Sequence, residues 1–480
     1  MDAEFILEVK IKLIDESKTN NTMCEIIIFN YMKKTITLIS IFSAFLMNAQ
    51  TNPIITSWLQ NTTGITGRHY VAGNSTPIVD AVQANVQSVN YNATYAYISA
   101  TGIPAYITGP FQDGNPSLAT AQNKIFRFPL TPTQNTGTAT ATTGGNIGIF
   151  KNGVALFDYR DGVAWNNSTQ ALCGGPGNSP CPGGPTATQA WNRDAIPAER
   201  PGFDCSKAHP AMGNYHHHQN PSAYNLDLVV SSNVCDLYPS DGLYVINPSE
   251  HSPLLGFAYD GFPIYGAYAF TNADGTGGIS RMKSSYQLKT QTTRTNGPAV
   301  NQVVGTQTFY NGYFREDYEF VSHPSDPTYL DIHNGRFCIT PEYPLGIYCY
   351  FATVDTDHKS AYPYVVGPTF YGNVTTTAVT SIPSGTTSYV LANENFDFSK
   401  TKITIYPNPA SDFVAIQTQM AENDMTVELI DELGKIVKTS KILQGSTLSI
   451  IDTSTLYNGV YFIKISNGSQ VKAFKILITK

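Results

Sequence analysis

Charge is what this sequence has least of. Asp, Glu, Lys and Arg make up 14% of the 480 residues and leave a net charge of −7, where a soluble chain ordinarily carries about a quarter. No basic stripe occurs, which removes the electrostatic footprint of a nucleic-acid binder. The sequence has no Gly-x-Ser-x-Gly elbow, no phosphate loop and no His-Glu-x-x-His. The usual signatures of serine hydrolases, nucleotide enzymes and zinc proteases are therefore missing. No Cys-x-x-Cys occurs among the seven cysteines, which weakens a zinc-ribbon reading. The apolar run Thr35–Met47 is 13 residues long, too short for an ordinary membrane-spanning helix.

What fills the polar positions is Asn, Thr, Gly, Tyr and Ser, a composition that suits an extracellular, all-β chain. A length of 480 residues is expected to hold two to four domains. Met32-Lys33-Lys34, the apolar run and Asn48-Ala49-Gln50 have the plan of a secretory signal peptide over 32–49. Signal peptides open their chains, so residues 1–31 are expected to be a start-site miscall. Removing the leader drops Cys24 and leaves six cysteines. An even number in an exported chain points to disulfides. Local spacing favours Cys173–Cys181, Cys205–Cys235 and Cys338–Cys349.

The stretch Gly213–Gly266 carries the densest chemistry. Tyr215-His216-His217-His218 places three of the nine histidines side by side. In a strand His216 and His218 share one face, about 7 Å apart along the backbone, while Tyr215 and His217 face the other way. Two imidazoles on one face can hold a transition metal such as copper or zinc, given a third ligand. His209, His251, Asp260, His333 and His358 are the available donors. Asp260-Gly261 opens a second block, Asp260-Gly-Phe-Pro-Ile-Tyr-Gly266, with a tight-turn pair. Asp260 reads either as a ligand or general base, or as an Asx turn. Together the two blocks resemble the YHYH domain family, with His217 standing where the family has Tyr. Leu330–Cys338 and Ala361–Gly372 are similar to that domain's closing part. The resemblance covers roughly 146–373 within a β domain spanning 50–373; it implies a domain and candidate residues, and no reaction.

A faint duplication runs through the same region. Gly148–Phe157 and Gly256–Tyr265 both read Gly, three residues, Asn or Asp, Gly, two residues, aliphatic, aromatic. Tyr215–His218 and Tyr348-Cys349-Tyr350-Phe351 form a second pair. The order predicts a duplicated β unit with histidines in its first half only. Residues 51–145 read as an opening β layer of the main, sandwich-like domain, or as a separate small domain. Gln189–Arg200 reads as a short helix.

Residues 374–400 are rich in Thr and Ser and are expected to be a linker. Residues 401–480 alternate as short strands, expected to be a small Ig-like β-sandwich. Tyr406-Pro-Asn-Pro409 and Tyr457-Asn-Gly-Val-Tyr461 make this unit similar to the C-terminal sorting domain of type IX secretion substrates. That resemblance implies the type IX machinery as partner, a secreted or cell-surface location and a Bacteroidetes-type bacterium. Asp355-x-Asp357-His358 reads as a solvated hairpin tip or an acidic patch. Three functions stay open: a secreted metal-binding protein, a surface adhesion or glycan-binding protein with structural histidines, and a hydrolase using Asp260 with a histidine.

Overall fold

The computed structural model of the chain describes residues 52–112, 117–175, 177–184, 189–375, 377–390, 401–419, 421, 423–467 and 470–480. The expected start-site miscall at 1–31, the leader at 32–49 and Cys24 lie outside these residues.

The centre of the main body is an eight-stranded sheet. Its strands are β1 (Asn146–Phe150), β2 (Ala155–Phe157), β3 (His209–Ala211), β4 (Asn214–His217), β5 (Leu254–Ala258), β6 (Pro263–Tyr265), β7 (Gly335–Cys338) and β8 (Ile347–Phe351). They lie in the order β3-β4-β2-β1-β5-β6-β8-β7. Hairpins β1–β2 and β5–β6 are antiparallel. Each then pairs in parallel with a strand from far along the chain, β2 with β4 and β6 with β8. Those strands in turn carry antiparallel partners, β3 and β7. The two halves repeat one another across an antiparallel β1–β5 seam, so the duplication read from the sequence is the symmetry of the sheet.

The repeated glycines have a common cause. A Cβ on Gly256 would collide with the Ile149 carbonyl, and one on Gly148 would meet the Phe257 carbonyl at 2.8 Å. Each half thus needs a bare backbone where the other crosses it. The two halves also share an Asp–Tyr clasp. Tyr215 Oη donates to Asp204 Oδ2 at 2.8 Å, and Tyr348 Oη donates to Asp331 Oδ1 at 2.9 Å.

Both faces of this sheet are covered, as parallel pairing requires. Ile149, Phe257, Tyr265 and Phe351 pack against Val86, Val89, Ile98, Phe126 and Phe128 of a second, five-stranded sheet. Phe150, Leu156, Tyr215, Ile264 and Tyr350 pack on the other side against Phe203, Tyr224 and Tyr244 from the long crossovers and Val365 from the segment after β8. The five-stranded sheet corrects one expectation. Within the stretch expected to be a linker, Thr377–Val379 and Thr387–Tyr389 are its two edge strands, pairing with Lys124–Pro129 and Val86–Tyr91.

The C-terminal unit is a two-sheet sandwich, three strands facing four. Met425–Asp431 alternates buried and exposed positions, sending Met425, Val427 and Leu429 inward to meet Val414, Ile416, Ile463 and Ile465.

Two of the three expected disulfides are present, Cys173–Cys181 and Cys205–Cys235, with Cα atoms 4.8 and 5.0 Å apart. The third is not. Cys338 and Cys349 are buried thiols. Cys349 lies opposite Arg336, and Cys338 opposite Ile347, so the two sit diagonally across the β7–β8 ladder. Diagonal positions hold Cα atoms about 7–8 Å apart, beyond the usual reach of a bridge. Non-reducing peptide mapping is expected to find the alkylating label on Cys338 and Cys349 alone among the six. Breaking Cys205–Cys235 with a Cys235→Ser change is expected to cost about 3–4 kcal/mol for the loop it closes, read from urea denaturation.

Candidate metal centre

The site is built on the β3–β4 hairpin. Met212 (φ 48°) and Gly213 (φ 84°) form its turn, which sets His209 directly opposite His216. Cross-strand partners share a face. His218 follows the strand and turns back to the same side. The three rings are buried, and one ligand nitrogen from each lies within 4.8 Å of the others. Phe157 stacks on His216 with ring centres 3.8 Å apart, and Phe203 meets His209 edge-on at 4.9 Å.

The hydrogen bonds fix the tautomers. His216 Nδ1 lies 2.8 Å from the Asn214 carbonyl, and His218 Nδ1 contacts the Asp158 carbonyl. A carbonyl only accepts, so both Nδ1 atoms carry protons and, in the neutral rings, both Nε2 atoms present lone pairs. Those two lone pairs face each other at 3.0 Å. Two facing lone pairs at that distance are relieved either by a proton that makes one ring a donor to the other or by a metal ion that both rings ligate.

Glu199 enters from outside the hairpin. It ends the short helix α1 (Ala195–Glu199), whose start is capped by the Asp194 carboxylate accepting from Ile196 N. Glu199 Oε2 lies 3.1 Å from His218 Nε2 and 3.2 Å from His209 Nε2. Burial works to raise the Glu199 carboxyl, but the imidazoles of His218 and His209 outweigh it and hold it well below the usual range. Burial lowers His218, and the Glu199 carboxylate reverses this into a net rise. Burial and the neighbouring His218 and His209 drive His216 well below the ordinary imidazole value.

His217 points to the opposite face, as strand alternation requires. Its Nε2 is 2.8 Å from Tyr106 Oη, its ring sits edge-on to Phe150, and burial lowers it to about 3. The other residues singled out from the sequence lie elsewhere. Asp260 is fully buried in its turn and accepts from Tyr350 Oη at 2.5 Å, Gly372 N at 2.8 Å and Phe262 N at 3.2 Å. Its partners include no histidine, and burial raises it to about 6. The turn reading of Asp260-Gly261 matches these bonds. His333 Nδ1 lies 3.0 Å from the Thr369 carbonyl. His251 lines a separate cleft of about 980 Å³ with Lys151, Glu250 and Glu342. His358 sits in a turn where Asp355 Oδ1 accepts from Asp357 N and Lys359 N, each at 2.9 Å. Of the five third-ligand candidates, only His209 joins His216 and His218.

Glu199 is the residue that sequence reasoning missed. It stands in the stretch read as a short helix, with no spacing that ties it to the histidines. Only the packing of α1 beside the hairpin brings it in.

Comparison with known proteins agrees with the two resemblances. Residues 125–363 match the family described as YHYH protein, and residues 404–479 match the secretion system C-terminal sorting domain. No curated protein matches the chain. A sorting domain of this kind marks a secreted or cell-surface protein. No helix among the described residues is long and apolar enough to cross a membrane.

Proposed function

We propose that a chain built from a YHYH protein region and a secretion system C-terminal sorting domain is exported through the type IX machinery and holds one transition-metal ion at His209, His216 and His218. The observation that carries this reading is the pair of Nε2 lone pairs facing each other at 3.0 Å, with both Nδ1 protons already engaged on carbonyls. Carbonyl-anchored imidazoles are the usual form of histidine ligands, because the second hydrogen bond fixes tautomer and ring orientation. Three neutral nitrogens suit zinc, copper or nickel and give little to calcium or magnesium.

Elemental analysis of the purified full chain, expressed without added metal, is expected to find one equivalent of transition metal. Dialysis against a chelator should remove it and lower the melting temperature, because an ion bound only by the native state stabilises that state. Binding should weaken as pH falls through about 6.5, where free imidazoles take up protons. A metal-free protein that takes up neither zinc nor copper would remove the reading.

A further inference from the structure

Resting on that metal reading, we propose that Glu199 is the fourth ligand and that the centre is a closed, structural three-nitrogen, one-oxygen site. It would tie α1 to the β3–β4 hairpin without leaving a coordination position for substrate. The geometry comes first. Glu199 Oε2 is 3.1 and 3.2 Å from two ligand nitrogens, nearly the same spacing as the 3.0 Å between His216 and His218. Donors about 2.0–2.1 Å from one tetrahedral ion stand roughly 3.3 Å apart. The carboxylate oxygen therefore keeps the spacing of a co-ligand to two of the three imidazoles, those of His218 and His209, whereas an outer-shell partner would sit behind a ring on its Nδ1 side. On His218 that side is taken by the Asp158 carbonyl.

The second observation is the oxygen's own state. Glu199 Oε2 is buried and has no well-directed hydrogen bond. A buried carboxylate is costly unless positive charge neutralises it, and a cation held among the three imidazoles would do so directly. Charge points the same way. One carboxylate and three neutral imidazoles give a divalent ion a net charge of +1, a modest burden for a buried site.

The third observation is closure. Phe157 covers His216, and Phe203 stands against His209. The Glu199 side chain retains 21% exposure, against 8% for His209 and 2% for His218. The Glu199 side chain thus borders the solvent side of the site, with Oε2 itself buried, where a catalytic centre would hold its water. Four protein ligands mark structural zinc, while catalytic zinc keeps one position open. A tetrahedral set of this kind also favours zinc over copper(II), which prefers tetragonal geometry.

The test is cobalt(II) titrated into the metal-free full chain, followed by visible absorption with and without azide. The wild type is expected to give the strong spectrum of tetrahedral cobalt, unchanged by azide. Glu199→Ala should bind cobalt at least about 100-fold more weakly, beyond the 10–100-fold typical of losing an outer-shell partner. Its spectrum should respond to azide entering the vacated position. Glu199→Gln keeps the shape and an oxygen donor, and should fall between the two, which separates loss of a ligand from loss of fold. A wild-type spectrum that responds to azide, or a Glu199→Ala protein with unchanged affinity, overturns the proposal while leaving the histidine site standing. A wild type that takes up no cobalt overturns both.

Discussion

His216→Ala and His218→Ala are each expected to abolish stoichiometric metal uptake, while His217→Ala keeps the metal and loses stability instead. The three residues are consecutive, so composition and local propensity cannot separate them. The strand does. His216 and His218 present Nε2 atoms to each other at 3.0 Å, and removing either ring leaves the ion two imidazoles instead of three. His217 lies on the other face, with its Nε2 on Tyr106 and its ring among Phe150, Tyr215 and Tyr106. Truncating it leaves a cavity and a buried hydroxyl without its partner, a loss of roughly 2–4 kcal/mol. Elemental analysis together with urea denaturation separates the two outcomes. A folded His217→Ala protein without metal would refute the face assignment.

Asp260→Ala is expected to destabilise the chain by roughly 3–5 kcal/mol and to leave metal stoichiometry untouched. Its carboxylate is fully buried and accepts from one phenol and two backbone amides. Truncation leaves all three donors without an acceptor. The pH dependence has a definite sign. Burial raises the folded pKa to about 6, above an unfolded value of about 3.9. A raised carboxyl binds its proton more tightly in the folded state. Its contribution is therefore fully present below about pH 4 and is lost as pH rises through about 6. Asp260→Asn cannot titrate and should show no such loss across that window in denaturation midpoints. An Asp260→Ala protein with normal stability would instead return the residue to the list of candidate catalytic groups.

The difference between what could be read from sequence and what could not follows from how each residue is placed. Alternation along a strand is a local property, so the sharing of one face by His216 and His218 was legible. So was the duplication, because its glycines answer to a seam that both halves make. His209 was one candidate among five because its selection depends on hairpin register. That register is set by Met212-Gly213, a pair lacking the Asn or Asp that normally announces a two-residue turn. The Cys338–Cys349 pairing failed for the same reason: spacing in sequence carries no information on whether two strand positions are opposite or diagonal. The edge strands at 377–379 and 387–389 are three residues each, too short to show a period among Thr and Ser. Glu199 needed tertiary packing, and nothing local records it.

The repeated sheet gives the molecule its own internal control. By register, Arg336, Cys349 and Phe351 stand where His209, His216 and His218 stand in the other half. Both halves keep the same strand order and the same aspartate–tyrosine clasp. Features common to both copies belong to the scaffold, and features found in one copy are what selection added or the other copy surrendered. Substitutions at matched positions can therefore be compared within a single chain, with one half reporting the cost to the architecture and the other that cost plus whatever the imidazoles do.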